Sequence, residues 1–593
     1  MTVTGTPRLT SAEEATEPHH KVQSPKGRKA SANVKRAVFP AVLYAVLAVV
    51  ILLPVALVVL SAFTTTPPRP GNISLTNLTL ENFQTVFGPG TGQAAVNSVI
   101  VGAGASVLAI LIGGFLAFVT ARTNVRAKKF LYFVGLVPMF LPSYVGALAW
   151  AVLGGPNAGL INILARDLGL PQLIDIFNIG GLIFVLALYY APYAFLLIHS
   201  SLSLMSPDLE EAARIHGAKP GAVVRKVTLP LALPAILGAA ILIFVLTVEN
   251  FPVSQIIGSA GGLDTLPTYI YRLMNSAPSR ANEAAAVAIT LVLIVLIVTM
   301  IQRRIVARRN YTTVAGKGMR LGVVGLGWFR LPALLIGLVY FTLSTVLPIA
   351  ALLFITLHDS PYVGSVVEAF SEGRFSFEMF ADTLTSELVL NATMNSVVVA
   401  IVAALVGTLL AFIVSYVVNR TKLPGKEGLG YISMLPLAVP SIVLGLGLLW
   451  TWLIMPLPVY GTLLVLMIAF VAAQMPQGYQ GASSSILQVH ADLEDSAVMH
   501  GASRWRAVAK ITAPLLRVPL TSTFLLLLML AMRELTVPLF LFTTDTRLIS
   551  IVIFDDFENG ILQRSAATSL VYCVVIFILA YFSQKFGAKQ KND

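Results

Sequence analysis

Apolar stretches of membrane-spanning length recur from one end of this sequence to the other, and they leave few folds open. Lipid offers no hydrogen-bond partner to a bare amide or carbonyl, so a crossing segment must satisfy its own backbone, which a helix does. Such a helix needs about 20 mostly apolar residues. Twelve runs qualify, near 38–63, 94–121, 130–153, 179–200, 234–256, 283–302, 331–357, 391–418, 428–454, 461–482, 519–543 and 565–583. With 56% hydrophobic residues against 11% charged, the bilayer is the main solvent of this chain. The fold class expected is all-α, a polytopic membrane protein of about 12 transmembrane helices. The first run is read as a true span rather than a cleaved leader, because it is full length and a long polar tail precedes it.

The net charge of +12 is a topology signal, not a footprint for nucleic acid. Segments 1–37, 122–129, 201–233, 302–330, 420–427, 483–517 and 584–593 alternate between spans and hold 32 of the 40 Lys and Arg residues. The positive-inside rule places them in the cytoplasm, and both termini with them. The loop between the seventh and eighth spans has the opposite character, with Asp359, Glu368, Glu372, Glu378, Asp382 and Glu387 against Arg374 alone. It is either an acidic docking surface or a place where acidic residues collect because basic ones are excluded. The single cysteine, Cys573, lies in the last run, which rules out an intrachain disulfide and a cysteine-based metal site.

The chain also repeats itself. Residues 209–218 (LEEAARIHGA) align without gaps on 493–502 (LEDSAVMHGA), an offset of 284 that also carries Pro192 onto Pro476 and Pro230 onto Pro514. Earlier in each half the offset is 298, pairing Asn97-Ser98-Val99 with Asn395-Ser396-Val397, and Pro138 and Pro142 with Pro436 and Pro440. Two repeats of six spans each keep the same orientation in the membrane, related by an axis along its normal. The organisation expected is a basic, disordered cytoplasmic tail at 1–37, a six-helix domain at 38–302, a basic linker at 303–330, a second six-helix domain at 331–583 and a short tail at 584–593.

Each repeated loop begins with an acidic helical stretch, reaches a glycine, then a basic segment, and enters the next span at Leu229-Pro230 or Ala513-Pro514. This predicts a short helix, a turn that glycine permits, and a second helix broken where proline removes an amide. Small residues at Ala212, Ala213, Ser496 and Ala497 let a partner surface approach closely. The run Glu211-Ala212-Ala213-Arg214-Ile215-His216-Gly217, followed about a dozen residues later by Leu-Pro, resembles the cytoplasmic loop of binding-protein-dependent ABC importer permeases. The second copy, Asp495-Ser496-Ala497-Val498-Met499-His500-Gly501, is a relaxed version, with Ala513 in place of leucine before proline. The resemblance covers nearly the whole chain after the tail. Two fused halves, and Met532-Arg533-Glu534-Leu535 near the eleventh span, are similar to the ferric-iron branch of that family.

The resemblance implies the permease subunit of an ATP-driven importer, with two copies of a separate ABC ATPase subunit inside and an extracytoplasmic solute-binding protein outside. It implies docking of the ATPases on Glu210, Glu211, Ala212, Ala213 and Gly217, and on Glu494, Asp495, Ser496, Ala497 and Gly501. It implies a bacterial cytoplasmic membrane, no resident cofactor, and ferric iron as the first solute to test. Thiamine, phosphonate and polyamine remain open. An ion-coupled secondary transporter also has twelve spans in two parallel halves; it would concentrate repeated polar residues at mid-membrane rather than in a cytoplasmic loop.

Charged groups in apolar segments are costly, by about 2.5–3.5 kcal/mol on insertion scales, and so tend to face a cavity or a partner. Glu249, Arg533 and Glu534, at the ends of the fifth and eleventh spans, are therefore candidates for the translocation pathway. His216 and His500 are single histidines without a second ligand at a useful spacing, and no metal site is expected. The sequence contains no Gly-x-x-x-x-Gly-Lys-Ser/Thr phosphate loop, so ATP hydrolysis by that route belongs to another chain.

Overall fold

The computed structural model describes residues 39–69, 77–205, 208–307 and 325–589. The expected tail at 1–37, most of the linker at 303–330 and the end of the tail at 584–593 lie outside the described residues. In the first half the order is α1 (Phe39–Ala62), α2 (Pro89–Arg122), α3 (Lys128–Phe140), α4 (Ser143–Gly154), α5 (Leu160–Asp167), α6 (Ile179–Leu204), α7 (Asp208–Ile215), α8 (Pro220–Val248), α9 (Leu266–Met274) and α10 (Ala281–Ala307). The second half has α11 (Gly327–Leu357), α12 (Val366–Glu372), α13 (Glu378–Thr385), α14 (Glu387–Arg420), α15 (Lys426–Ala438), α16 (Ser441–Ile454) and α17 (Leu463–Leu487). It continues with α18 (Asp492–Met499), α19 (Arg504–Leu515), α20 (Arg517–Met532), α21 (Ile549–Glu558) and α22 (Leu562–Lys589). Among the described residues nine helices are long and apolar enough to cross a membrane, or up to 12 if each of three bent pairs is one span.

Those bends correct the expectation of straight spans. At 130–153 and 428–454 the chain turns sharply, by 94° between α3 and α4 and by 114° between α15 and α16. Both turns share one cause. Leu141 and Val439 precede prolines and are extended (ψ 125° and 112°), while Pro142 and Pro440 bring no amide to continue a helix.

The spans expected at 234–256 and 519–543 also shift, since α8 starts at Pro220 and stops at Val248, and α20 stops at Met532. The break expected at Pro230 does not occur. A π-turn at Val224–Thr228 leads into it, and α8 runs unbroken for 29 residues. The second half has the same π-turn at Val508–Thr512 but then bends by 73° between α19 and α20. The bend falls on Leu516 (φ −91°, ψ 5°), beside the carbonyl of Leu515, which would have taken the amide that Pro519 lacks.

The halves interlock through their first helices. α1 packs on α16, where Gly447 has no side chain and the Pro54 backbone fills the space a Cβ would take. α11 returns the arrangement by packing on α4, and its Tyr340 hydroxyl donates to the Leu188 carbonyl of α6 at 2.9 Å. In a membrane such close contacts replace the hydrophobic effect as the source of association.

The acidic loop after α11 is folded. α12 and α13 rise from it, the Ser376 amide donates to the Leu357 carbonyl at 2.7 Å, and Asp167 of α5 accepts the amides of Val366 and Val367 at 2.7 and 3.2 Å. Burial acts to raise the Asp167 carboxyl, yet those amides and the Ser365 hydroxyl hold it below the usual carboxylate range.

Candidate functional site

The two repeated loops fold alike at their exposed ends. α7 and α18 carry acidic residues in the first turn, Asp208, Glu210 and Glu211 or Asp492, Glu494 and Asp495, where the helix dipole favours negative charge. Both end in the same cap. The amides of Gly217 and Ala218 reach back to Arg214 and Ala213, those of Gly501 and Ala502 to Val498 and Ala497, all at 2.9–3.0 Å. Each glycine sits at positive φ, 81° and 88°, which a side chain disfavours and glycine does not. His216 and His500 place Nδ1 2.8 Å from the carbonyls of Ala212 and Ser496, so the paired histidines close helix ends.

Glu211, Ala212, Asp495, Ser496, Gly217 and Gly501 are exposed, and Ala213 and Ala497 are half-buried. Sequence reasoning passed over the apolar side chains beside them. Ile215 and Met499, at matching positions, are 83% and 80% exposed.

Glu210 and Glu494 depart from the expected docking face, because both turn inward and are buried. Glu210 Oε1 lies 2.6 Å from Arg122 Nη2 at the end of α2, and accepts the Thr228 hydroxyl at 2.6 Å. Glu494 accepts the matching Thr512 hydroxyl at 2.6 Å. Its other partners differ. The Tyr416 hydroxyl donates to Oε2 at 2.6 Å, and the half-exposed Arg504 stands 3.9 Å away. Bonding to Tyr416 raises the Arg504 guanidinium further above its ordinary value. Tyr416 corresponds to Phe118 in the first half, which has no hydroxyl to offer.

Arg420 holds the place equivalent to Arg122. Both arginines donate to the carbonyl at the loop entrance, Met205 or Val489, but Arg420 turns its remaining reach to the Ile486 carbonyl at 2.8 Å. Of these two arginines only Arg122 is ion-paired to its loop glutamate among the described residues, and Glu494 has Arg504 as its partner instead. No alternation or motif in the sequence marks Arg122, Thr228 or Tyr416, and only their register in the repeat could have singled them out.

The pathway candidates sit where α8 and α20 stop. Glu249 and Arg533 occupy equivalent cap positions with opposite charge. One step on, Asn250 Oδ1 accepts the Val253 amide and Glu534 Oε1 accepts the Thr536 and Val537 amides, so Glu534 also caps the turn after it. Asn250 donates to the Tyr190 hydroxyl at 3.0 Å. Arg533 lines a cavity of about 380 Å³ that Leu136, Met139, Phe140 and Leu196 close from the first half. On the side opposite the basic loops the seam is aromatic. Phe251 and Tyr271 meet Phe554 and Phe540 of the second half with ring centroids 5.8 and 6.2 Å apart. Among the described residues no group of His, Cys, Asp and Glu is arranged to hold a metal ion.

Two interlocked repeats, an aromatic seam between them with charged groups at the helix ends beside it, and one capped loop on each half define a membrane transport permease. The family described as the binding-protein-dependent transport system inner membrane component matches residues 109–311 and again 407–589. The chain belongs to that family, as an ABC importer permease with two fused halves, which displaces the secondary-transporter reading. A putative ferric transport system permease protein of Haemophilus influenzae is 24% identical over 459 residues, covering 77% of this chain and 71% of that protein. The ferric transport system permease protein of Actinobacillus pleuropneumoniae is 23% identical over 490 residues, covering 82% and 70%. The trehalose transport system permease protein of Mycobacterium tuberculosis is 28% identical over 293 residues, covering 48% of this chain and all of that protein. A crystallised bacterial ABC transporter that imports the acidic polysaccharide alginate aligns with a TM-score of 0.40 and 17% identity, covering 48% of this chain and all of the other.

Proposed function

We propose that this permease imports ferric iron across a bacterial cytoplasmic membrane, driven by two ATPase subunits that dock on α7 and α18. The observation that carries the docking is the repeated, glycine-capped helix with an exposed apolar residue at its end, Ile215 or Met499. Glu211, Ala212, Ala213 and Gly217, with Asp495, Ser496, Ala497 and Gly501, form the contact surface, and Glu210 and Glu494 hold it from behind. The distribution of Lys and Arg supports loops and termini on the cytoplasmic side. An extracytoplasmic binding protein delivers the solute to the opposite face. There α12 and α13 present Phe370, Phe377 and Leu384 among Glu368, Glu378 and Asp382.

Iron is supported by two relatives that each share more than two thirds of their length with this chain and are named as ferric transport permeases. Glu249, Arg533 and Glu534 are the groups assigned to the path. Uptake of labelled ferric iron by cells that carry the permease with its ATPase and binding protein tests the solute. Uptake equal to that of cells lacking the permease would refute it. Co-purification tests the docking: Ile215→Asp and Met499→Asp are expected to release the ATPase, and unchanged association in both variants would sink that assignment.

A further inference from the structure

The Asn-Ser pair that recurs at 97–98 and 395–396 has a structural use that docking does not explain. Asn97 Nδ2 donates to the Asp264 carbonyl at 2.8 Å, and Ser98 Oγ accepts the Leu266 amide at 2.8 Å, so α2 grips the start of α9. Both side chains are buried. In the second half Asn395 reaches the Asp545 and Arg547 carbonyls, and Ser396 accepts the Ile549 amide at 2.8 Å, so α14 grips α21 in the same way. α9 carries Tyr271 and α21 carries Phe554, two of the rings that meet across the seam. Thus α2 and α14 each hold, at one end, the helix that supplies an aromatic to the junction between halves. At their other ends they meet the docking loops.

α2 has 34 residues, roughly 50 Å of continuous helix. At its cytoplasmic end Arg122 is fully buried and bonded to Glu210, whose own side chain is only 2% exposed. A rigid helix fixed to α7 at one end and to α9 at the other transmits displacement rather than absorbing it, because packed elements shift as units. In α14 the outer grip is the same, but the inner one lacks the ion pair.

We infer that α2 is the rod through which the first docking loop acts on the aromatic junction, with Arg122 at the inner end and Asn97 and Ser98 at the outer end as positioning residues. The inference rests on the reading that α7 receives an ATPase. It makes the first half the stiffer of the two transmissions.

The test uses the full permease assembled with its ATPase, carrying Tyr271→Cys so that labelling by a membrane-impermeant maleimide reports on the junction. ATP is expected to change the labelling rate in the parent by about fivefold or more, the low end of what a coupling free energy between two sites supplies. Arg122→Lys keeps the charge but loses the guanidinium fork, and Ser98→Ala removes one hydroxyl that no ATPase can touch. Each is expected to abolish most of the ATP-dependent change while the ATPase still co-purifies. An ATP response that survives in both Arg122→Lys and Ser98→Ala overturns the inference, as does a parent that shows none. Retention of the ATPase by Ile215→Asp and Met499→Asp would instead refute the docking, whatever the labelling shows.

Discussion

The two repeated loops have the same exposed face and different foundations. In each, a short acidic helix ends in a glycine at positive φ, and a buried glutamate takes a threonine hydroxyl at 2.6 Å. Behind that shared frame the first loop is fixed by a buried guanidinium. The second is fixed by a phenol and by a half-exposed arginine that also bonds Asp495 at 3.1 Å. The second loop is held from outside as well, where Trp505 meets Phe39 of α1 at a centroid distance of 5.7 Å, edge to face. Beyond the loops, α8 runs straight into the membrane while α19 and α20 bend by 73°. The two repeats thus share an exposed face and differ in the contacts that support it.

The comparison is broken most sharply by Arg122→Met, which leaves Glu210 buried without a counter-charge. A loss of about 3–5 kcal/mol is expected, read as a lower thermal midpoint of the purified permease, since an uncompensated buried charge is costly. Thr228→Val and Thr512→Val remove the hydrogen bond that both halves share. Each is expected to cost about 1.5–3 kcal/mol, as for bonds to a charged group, and unequal losses would show that the two frames are not equivalent. Gly217→Ala and Gly501→Ala place a Cβ at positive φ and are expected to cost about 1–2 kcal/mol each, seen as faster hydrogen exchange at the amides of Ala218 and Ala502. Arg504→Ala is expected to do least, within about 1 kcal/mol, because an exposed ion pair is screened by water. A loss as large as that of Arg122→Met would erase the distinction drawn between the loops.

On the side opposite these loops the comparison sharpens on Asp167, whose carboxylate accepts two amides of α12 and is held below its ordinary pKa. A group held below its unfolded pKa stabilises above that value and loses its contribution as pH falls through the folded one. Protection of the Val366 and Val367 amides from hydrogen exchange is therefore expected to persist at neutral pH and fade on strong acidification, and Asp167→Asn is expected to weaken it at neutral pH and to remove that pH dependence.

The helical class, the twelve crossings, the two-fold repeat and the positions of the loops were legible along the sequence. Each is a property of hydropathy, charge side or local register, which a chain carries residue by residue. Gly217 and Gly501 could be read too, because a glycine after a helical run marks a C-cap. What the sequence could not disclose was direction. Glu210 and Glu211 are neighbours of one type, and only the packing of α2 and α8 against the loop sends the first inward to Arg122 and leaves the second outside. The ends of the fifth and eleventh spans were misjudged because apolar residues resume after Glu249-Asn250 and after Arg533-Glu534, while the helices stop at Val248 and Met532. The pairing of Arg122 with Glu210, the swap of Tyr416 for Phe118, and the grip of Asn97 and Ser98 on α9 depend on side chains far apart in the chain. Hydropathy is set by each residue alone, but a partner is set by what the fold brings within about 3 Å, and only the tertiary structure decides that.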